Sequence, residues 1–183
     1  MSQIRNVAVV VGSLRKDSVS RKLAKAFAAL TPDLAFSTLE IGDLPLFDQD
    51  LESDPPAPWV RFRTEIAAAD AVLFVTPEYN RSVPGVLKNA IDVGSRPYGA
   101  SVWNGKPGAV ISVSPGAIGG FGANHHLRQS LVFLNVPMLS QEAYVGAAFA
   151  LFDPAGTLIN DGTADFLRAY GKALSAWIET ITG

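Results

Sequence analysis

The chain has no cysteine. That excludes disulfides, thiolate metal sites and cysteine nucleophiles. Histidine occurs only as the adjacent pair His125-His126. Neighbours on a helix point about 100° apart, whereas two histidines on one helix share a metal at i,i+4 spacing. No metal is therefore expected. Charge is sparse at 17% of residues, with 15 basic against 17 acidic side chains and a net charge of −2. No block of one sign stands out, so neither nucleic acid nor an anionic membrane is expected as a partner. No apolar run approaches the roughly 20 residues of a bilayer span. The short run after Arg5 reads as a strand rather than a secretory leader, so the expected location is cytoplasmic.

Four patterns are also missing. There is no three-glycine dinucleotide fingerprint after the first strand. Gly105-Lys106 is followed by Pro107, where a P-loop needs a hydroxyl. No Gly-x-Ser-x-Gly elbow is present. A phosphoacceptor receiver would end strands one and three in acidic residues, but Val11, Val75 and Thr76 stand there.

What is present is apolar: 48% of 183 residues, with a mean hydropathy of +0.21. That suits one domain, residues 1–183, whose sheet is buried on both faces or which carries a subunit interface. Short apolar runs at 7–11, 36–41, 71–75, 109–113 and, more weakly, 136–145 read as strands. Helical spacing follows Ser18, an N-cap, and recurs over 59–69, 84–93, 125–134 and 164–181. Pro84 can open its helix at the first turn. The proline-rich loop 44–58 is expected to pack Leu46 and Phe47 inward, and 153–162 reads as a turn or short hairpin. Alternating strands and helices predict an α/β fold, a five-stranded parallel sheet with helices on both faces.

In such a sheet, ligands sit beyond the carboxyl ends of the strands. Three loops of unusual composition leave strands at that edge. The first, Gly12 to Ser20, offers hydroxyls from Ser13, Ser18 and Ser20, the Arg15 guanidinium, and a helix N-terminus. These suit one phosphate, although Ser18 alone reads as a plain cap and Arg15 as a solvated turn residue. The second is Pro77-Glu78-Tyr79-Asn80. It can present backbone groups to the edge of a flat ring with Tyr79 over its face, or it can be a β-turn with an exposed tyrosine. The third holds Ser114, Gly116, Gly119, Gly120 and Gly122, which allow the backbone to approach a ligand or simply form a flexible lid. Together the three describe a mononucleotide with a flat ring.

The segments GSLRKDS-V-S (12–20), TPEYN-R-SVPG-VLKNAID (76–92), NGKP (104–107), SPGAIGG (114–120) and HLRQSLVFL (126–134) resemble the NADPH-dependent FMN reductase family. Within it they are most similar to the bacterial quinone and chromate reductases. The resemblance runs in order along nearly the whole chain. It implies a flavodoxin-like fold, FMN as cofactor, NADPH or NADH as hydride donor, and a quinone-like small-molecule acceptor. It further implies that Ser13, Leu14, Arg15, Lys16, Asp17, Ser18, Val19 and Ser20 hold the FMN phosphate. Pro77, Glu78, Tyr79 and Asn80 then cup the isoalloxazine and Ser114 touches the flavin. The flavin carries the chemistry, so no catalytic acid or base is assigned. A homodimer or homotetramer is implied, built partly from the helix after Pro84 and from residues 94–106, where Tyr98 and Trp103 would otherwise be exposed. Ser20 replaces an asparagine common in relatives, and an arginine near Gly122 and a tyrosine near His125 are missing. An FMN-holding sensor or electron carrier is the other reading; a carrier needs a strongly acidic surface, which a net charge of −2 does not supply.

Overall fold

The computed structural model describes residues 4–183. Its first strand, β1 (Arg5–Val11), sends Val7, Val9 and Val11 to one face and Ala8 and Val10 to the other. Both faces are covered, so the run reads as continuously apolar and its alternation is hidden in the sequence. The same division holds in β3 (Ala71–Thr76), with Leu73 and Val75 opposed to Val72 and Phe74. In β4 (Gly108–Val113), Ile111 and Val113 oppose Val110. With β2 (Leu34–Thr38) and β5 (Ala143–Val145) at the edges, the order is β2-β1-β3-β4-β5 and every pairing is parallel.

Two helices, α1 (Val19–Leu30) and α5 (Asp161–Thr182), cover one face through Leu23, Phe27, Leu167 and Leu174. Three others, α2 (Ala57–Ala68), α3 (Gly85–Ser95) and α4 (Phe121–Phe133), cover the other through Phe62, Ile66, Leu87, Ile91, Leu127 and Leu131. This is the flavodoxin-like architecture. The strand order reverses between β1 and β3, so their outgoing loops diverge and leave a crevice at the carboxyl edge. Among the described residues, no helix is long and apolar enough to cross a membrane.

Several local expectations need correction. The second strand, expected over 36–41, spans Leu34–Thr38, though Leu39 still donates its N–H to the Val9 carbonyl at 2.9 Å. The fifth, expected over 136–145, contracts to three residues. Pro137 has no N–H to give a ladder. The Arg128 guanidinium takes the carbonyls of Leu139 and Gln141, at 2.8 and 2.5 Å. Leu46 faces solvent, whereas Phe47 stacks on Trp59 at 5.5 Å as expected. Trp103 is fully buried rather than an interface residue, and its indole N–H donates to the Ile91 carbonyl at 2.9 Å. Its ring fits because Gly94 lacks a Cβ, which would lie 2.5 Å away. Helix α4 begins four residues before His125, because Gly120 takes a left-handed turn into it. An antiparallel bridge between Phe152 and Leu158 forms the short hairpin.

Candidate functional site

The loops after β1, β3 and β4 meet around one cleft of about 210 Å³ at the carboxyl edge of the sheet. From the first loop, Ser13, Arg15, Ser18, Val19 and Ser20 line it. The three serines are only 3, 3 and 2% exposed, in that order. Buried hydroxyls around a helix N-terminus are unusual unless they have a task there. Ser18 caps α1, its Oγ accepting the Arg21 N–H at 3.2 Å. The N–H groups of Val19 and Ser20 have no backbone acceptor among the described residues. They are orphan donors of the first turn, carrying the positive end of the helix dipole. Arg15 forms no ion pair among the described residues. Leu14, Lys16 and Asp17 are exposed and lie off the cleft wall. Asp17 instead pairs with Lys22 at 2.5 Å, which holds its carboxyl below the ordinary value.

The second loop is a tight hairpin. Tyr79 and Ser82 exchange two backbone hydrogen bonds, both 3.0 Å. Asn80 and Arg81 between them sit at φ of 52° and 63°. Two positive values define the mirror-image two-residue turn, natural for asparagine and strained for arginine. Pro77, Glu78 and Tyr79 line the cleft, while Asn80, at the tip, does not. The Thr76 hydroxyl donates to the Pro77 carbonyl at 2.8 Å and fixes the loop's exit from β3. Glu78 Oε2 accepts the N–H of Ala123, in the first turn of α4, at 3.0 Å.

The third loop contributes Ser114, with Val113 and Pro115 beside it. The Ser114 hydroxyl accepts the Gly116 N–H at 3.0 Å. Three of its glycines serve the chain's own packing rather than a ligand. A Cβ at Gly119 would lie 2.7 Å from the Val145 nitrogen, one at Gly120 3.1 Å from Ser112, and one at Gly122 2.7 Å from the Arg81 carbonyl oxygen. The sequence reading missed Ala148 and Phe149, which close the cleft from the segment after β5. Ala148 is held by its N–H on the Ser114 carbonyl at 3.2 Å. Phe149 is 72% exposed, an apolar ring at the rim of the cleft.

The histidines find separate partners. His126 Nδ1 lies 2.9 Å from the Ser82 hydroxyl, and His125 Nε2 lies 3.0 Å from the Tyr144 hydroxyl. Burial, and then the hydrogen bond to Glu142, push Tyr144 up to about 12. Among the described residues, no three His, Asp or Glu side chains gather as a metal site.

The sequence matches the model of the family described as NADPH-dependent FMN reductase over residues 5–150. It is 62% identical over 182 residues to a quinone reductase of Pseudomonas putida, covering 98% of this chain and 97% of that one. It is 47% identical over 174 residues to a 2-hydroxy-1,4-benzoquinone reductase of a Burkholderia species, covering 94% of this chain and 95% of that one. Among solved structures, FerB, a flavoenzyme NAD(P)H:(acceptor) oxidoreductase from Paracoccus denitrificans, matches with a TM-score of 0.91 at 45% identity. That match covers 97% of this chain and 98% of FerB. The chain belongs to the NADPH-dependent FMN reductase family.

Proposed function

We propose that this chain is an FMN-dependent NAD(P)H oxidoreductase that reduces quinones and related acceptors, chromate, azo and nitro compounds among them. The observation that carries the reading is the convergence of three loops on one cleft at the reversal of strand order, with orphan donors on one wall. Relatives named quinone reductase at 62% and 37% identity support the acceptor class.

The donor set fits FMN. Buried Ser13, Ser18 and Ser20, together with the N–H groups of Val19 and Ser20 and the Arg15 guanidinium, which have no partner among the described residues, suit a dianionic phosphate. Each charge-assisted hydrogen bond there contributes about 1.5–3 kcal/mol. Rigid Pro77, half-exposed Tyr79 and apolar Val113 and Ala148 suit a flat ring. In this reading the loop from Ser13 to Ser20 holds the phosphate, while Pro77 to Asn80 and Ser114 hold the ring. Held by these residues, FMN would supply the redox chemistry, hydride acceptance from NADPH or NADH and electron delivery to the acceptor. The chain's own part is to bind, orient and shield. None of its side chains is assigned as a proton donor or acceptor in the reaction.

The same reading takes residues 1–183 as one domain acting in the cytoplasm as a homodimer or homotetramer. Tyr98, Val132 and Phe133, at 92, 61 and 88% exposed, support a subunit contact. The test is to purify the protein, load it with FMN, and follow NADPH oxidation with menadione. Bound yellow flavin and parallel double-reciprocal lines are expected, since donor and acceptor alternate at one site. A protein that refuses FMN, or that shows no turnover with any acceptor, overturns it.

A further inference from the structure

Helix α4 starts without a cap of its own. Its N-cap is Gly120, no side chain there accepts an N–H, and its first turn holds no acidic residue. The missing acceptor comes from another loop, 45 residues away: Glu78 Oε2 on the Ala123 N–H at 3.0 Å. The Glu78 side chain is only 12% exposed. A carboxylate at the positive end of a helix is favourably placed. A second tie runs parallel, Ser82 Oγ to His126 Nδ1 at 2.9 Å. Between the two anchor points the hairpin is rigid, because Tyr79 and Ser82 bond each other twice. Ser114 and Pro115, on the neighbouring wall, belong to the loop that leads directly into α4.

We propose that Glu78 is a positioning residue: its carboxylate clamps the Pro77–Ser82 hairpin to the N-terminus of α4 and so sets the spacing between the two ring-side walls of the cleft. The inference rests on the flavin reading above and goes beyond it, since it assigns the side chain to α4 rather than to the ligand. The phosphate wall, on β1 and α1, shares neither tie.

The test compares FMN with riboflavin, which lacks the phosphate, on flavin-stripped wild type, Glu78→Ala, Glu78→Gln and Ser82→Ala. Binding is read by quenching of flavin fluorescence, and folding by circular dichroism. Losing the cap should raise both dissociation constants in Glu78→Ala by the same factor, about 3- to 30-fold. Glu78→Gln keeps an acceptor oxygen and should stay within about threefold of wild type. Ser82→Ala, which leaves the cap intact, should show the same symmetric loss at about twofold. A lowered melting temperature with both affinities unchanged would make Glu78 a structural cap only and overturn the proposal. So would a loss confined to FMN, or a glutamine variant as weak as the alanine one. Wild type that binds neither flavin overturns the functional reading itself, and this inference with it.

Discussion

The two polar loops of the cleft are built on opposite plans. The loop after β1 keeps its donors open: buried serine hydroxyls and, among the described residues, two orphan N–H groups and a guanidinium without a partner. The hairpin after β3 is closed on itself. Its backbone pairs internally, its glutamate is engaged by α4 and its serine by His126. In the proposed reading the first loop offers these donors to an anion, whose arrival would offset the cost of burying them. The second is a preformed wall whose Glu78 carboxylate, Ser82 hydroxyl and Tyr79–Ser82 backbone are already engaged, so in this reading it offers shape more than hydrogen bonds. Affinity for the phosphate should reside in the first loop, and placement of the ring in the second.

The sharpest way to break that division is Arg15→Ala. Its fork of donors serves no other described residue, so removing it should leave folding untouched. FMN binding should weaken by roughly 1.5–3 kcal/mol, about 10- to 200-fold. Riboflavin binding should hardly change. Equal losses for the two flavins, measured by fluorescence titration, would mean that Arg15 does not meet the phosphate. The two loops would then lose their distinction.

How much of this was legible in the sequence follows from what is local and what is not. The cap in the open loop was readable because capping depends on neighbours in the chain: Ser18 Oγ accepts the N–H of Arg21, three residues on. The sheet was readable because Val7–Val11 and Ala71–Val75 are too apolar for any exposed role. The closed hairpin was legible only as a turn, since Glu78 and Ala123 meet through the β3–β4 pairing. Ala148 and Phe149 gave no signal, because β5 is three residues long and its own environment is set by Arg128. Trp103 misled for the same reason: its burial depends on the absence of a side chain at Gly94, on another element. The glycines of 116–122 were read as room for a ligand or as a flexible lid, whereas Gly119, Gly120 and Gly122 make room for other parts of their own chain.

A smaller effect sharpens the closed half of the comparison. Arg81 occupies the second central position of the hairpin at φ 63°. A left-handed residue with a side chain costs about 1–2 kcal/mol, partly offset by the flexibility that glycine adds to the unfolded chain. Its pairing with Glu78 at 3.4 Å is largely solvent-exposed on the arginine side and contributes little. Arg81→Gly should therefore stabilise the protein by about 0.5–1 kcal/mol and raise Tm by about 1–4 °C. Affinity for both flavins should stay within about twofold. A fall in Tm on thermal scanning would mean that the arginine's contacts outweigh its strain.

The smallest effect belongs to the open loop and turns on pH. Lys22 lowers the Asp17 carboxyl below its ordinary 3.8, first by hydrogen bonding and then by its charge. A carboxyl lowered on folding stabilises the fold at pH values above its unfolded value and loses that contribution as pH falls through its folded one. Wild type should therefore melt slightly higher than Asp17→Asn at pH 6, and the gap should close below about pH 3. Both residues lie off the cleft wall, so the two proteins should differ little in riboflavin binding across that range. If the gap instead persisted unchanged into acid, the pair would not be holding the start of α1. The orphan donors of Val19 and Ser20 would then owe their placement to the Ser18 cap alone.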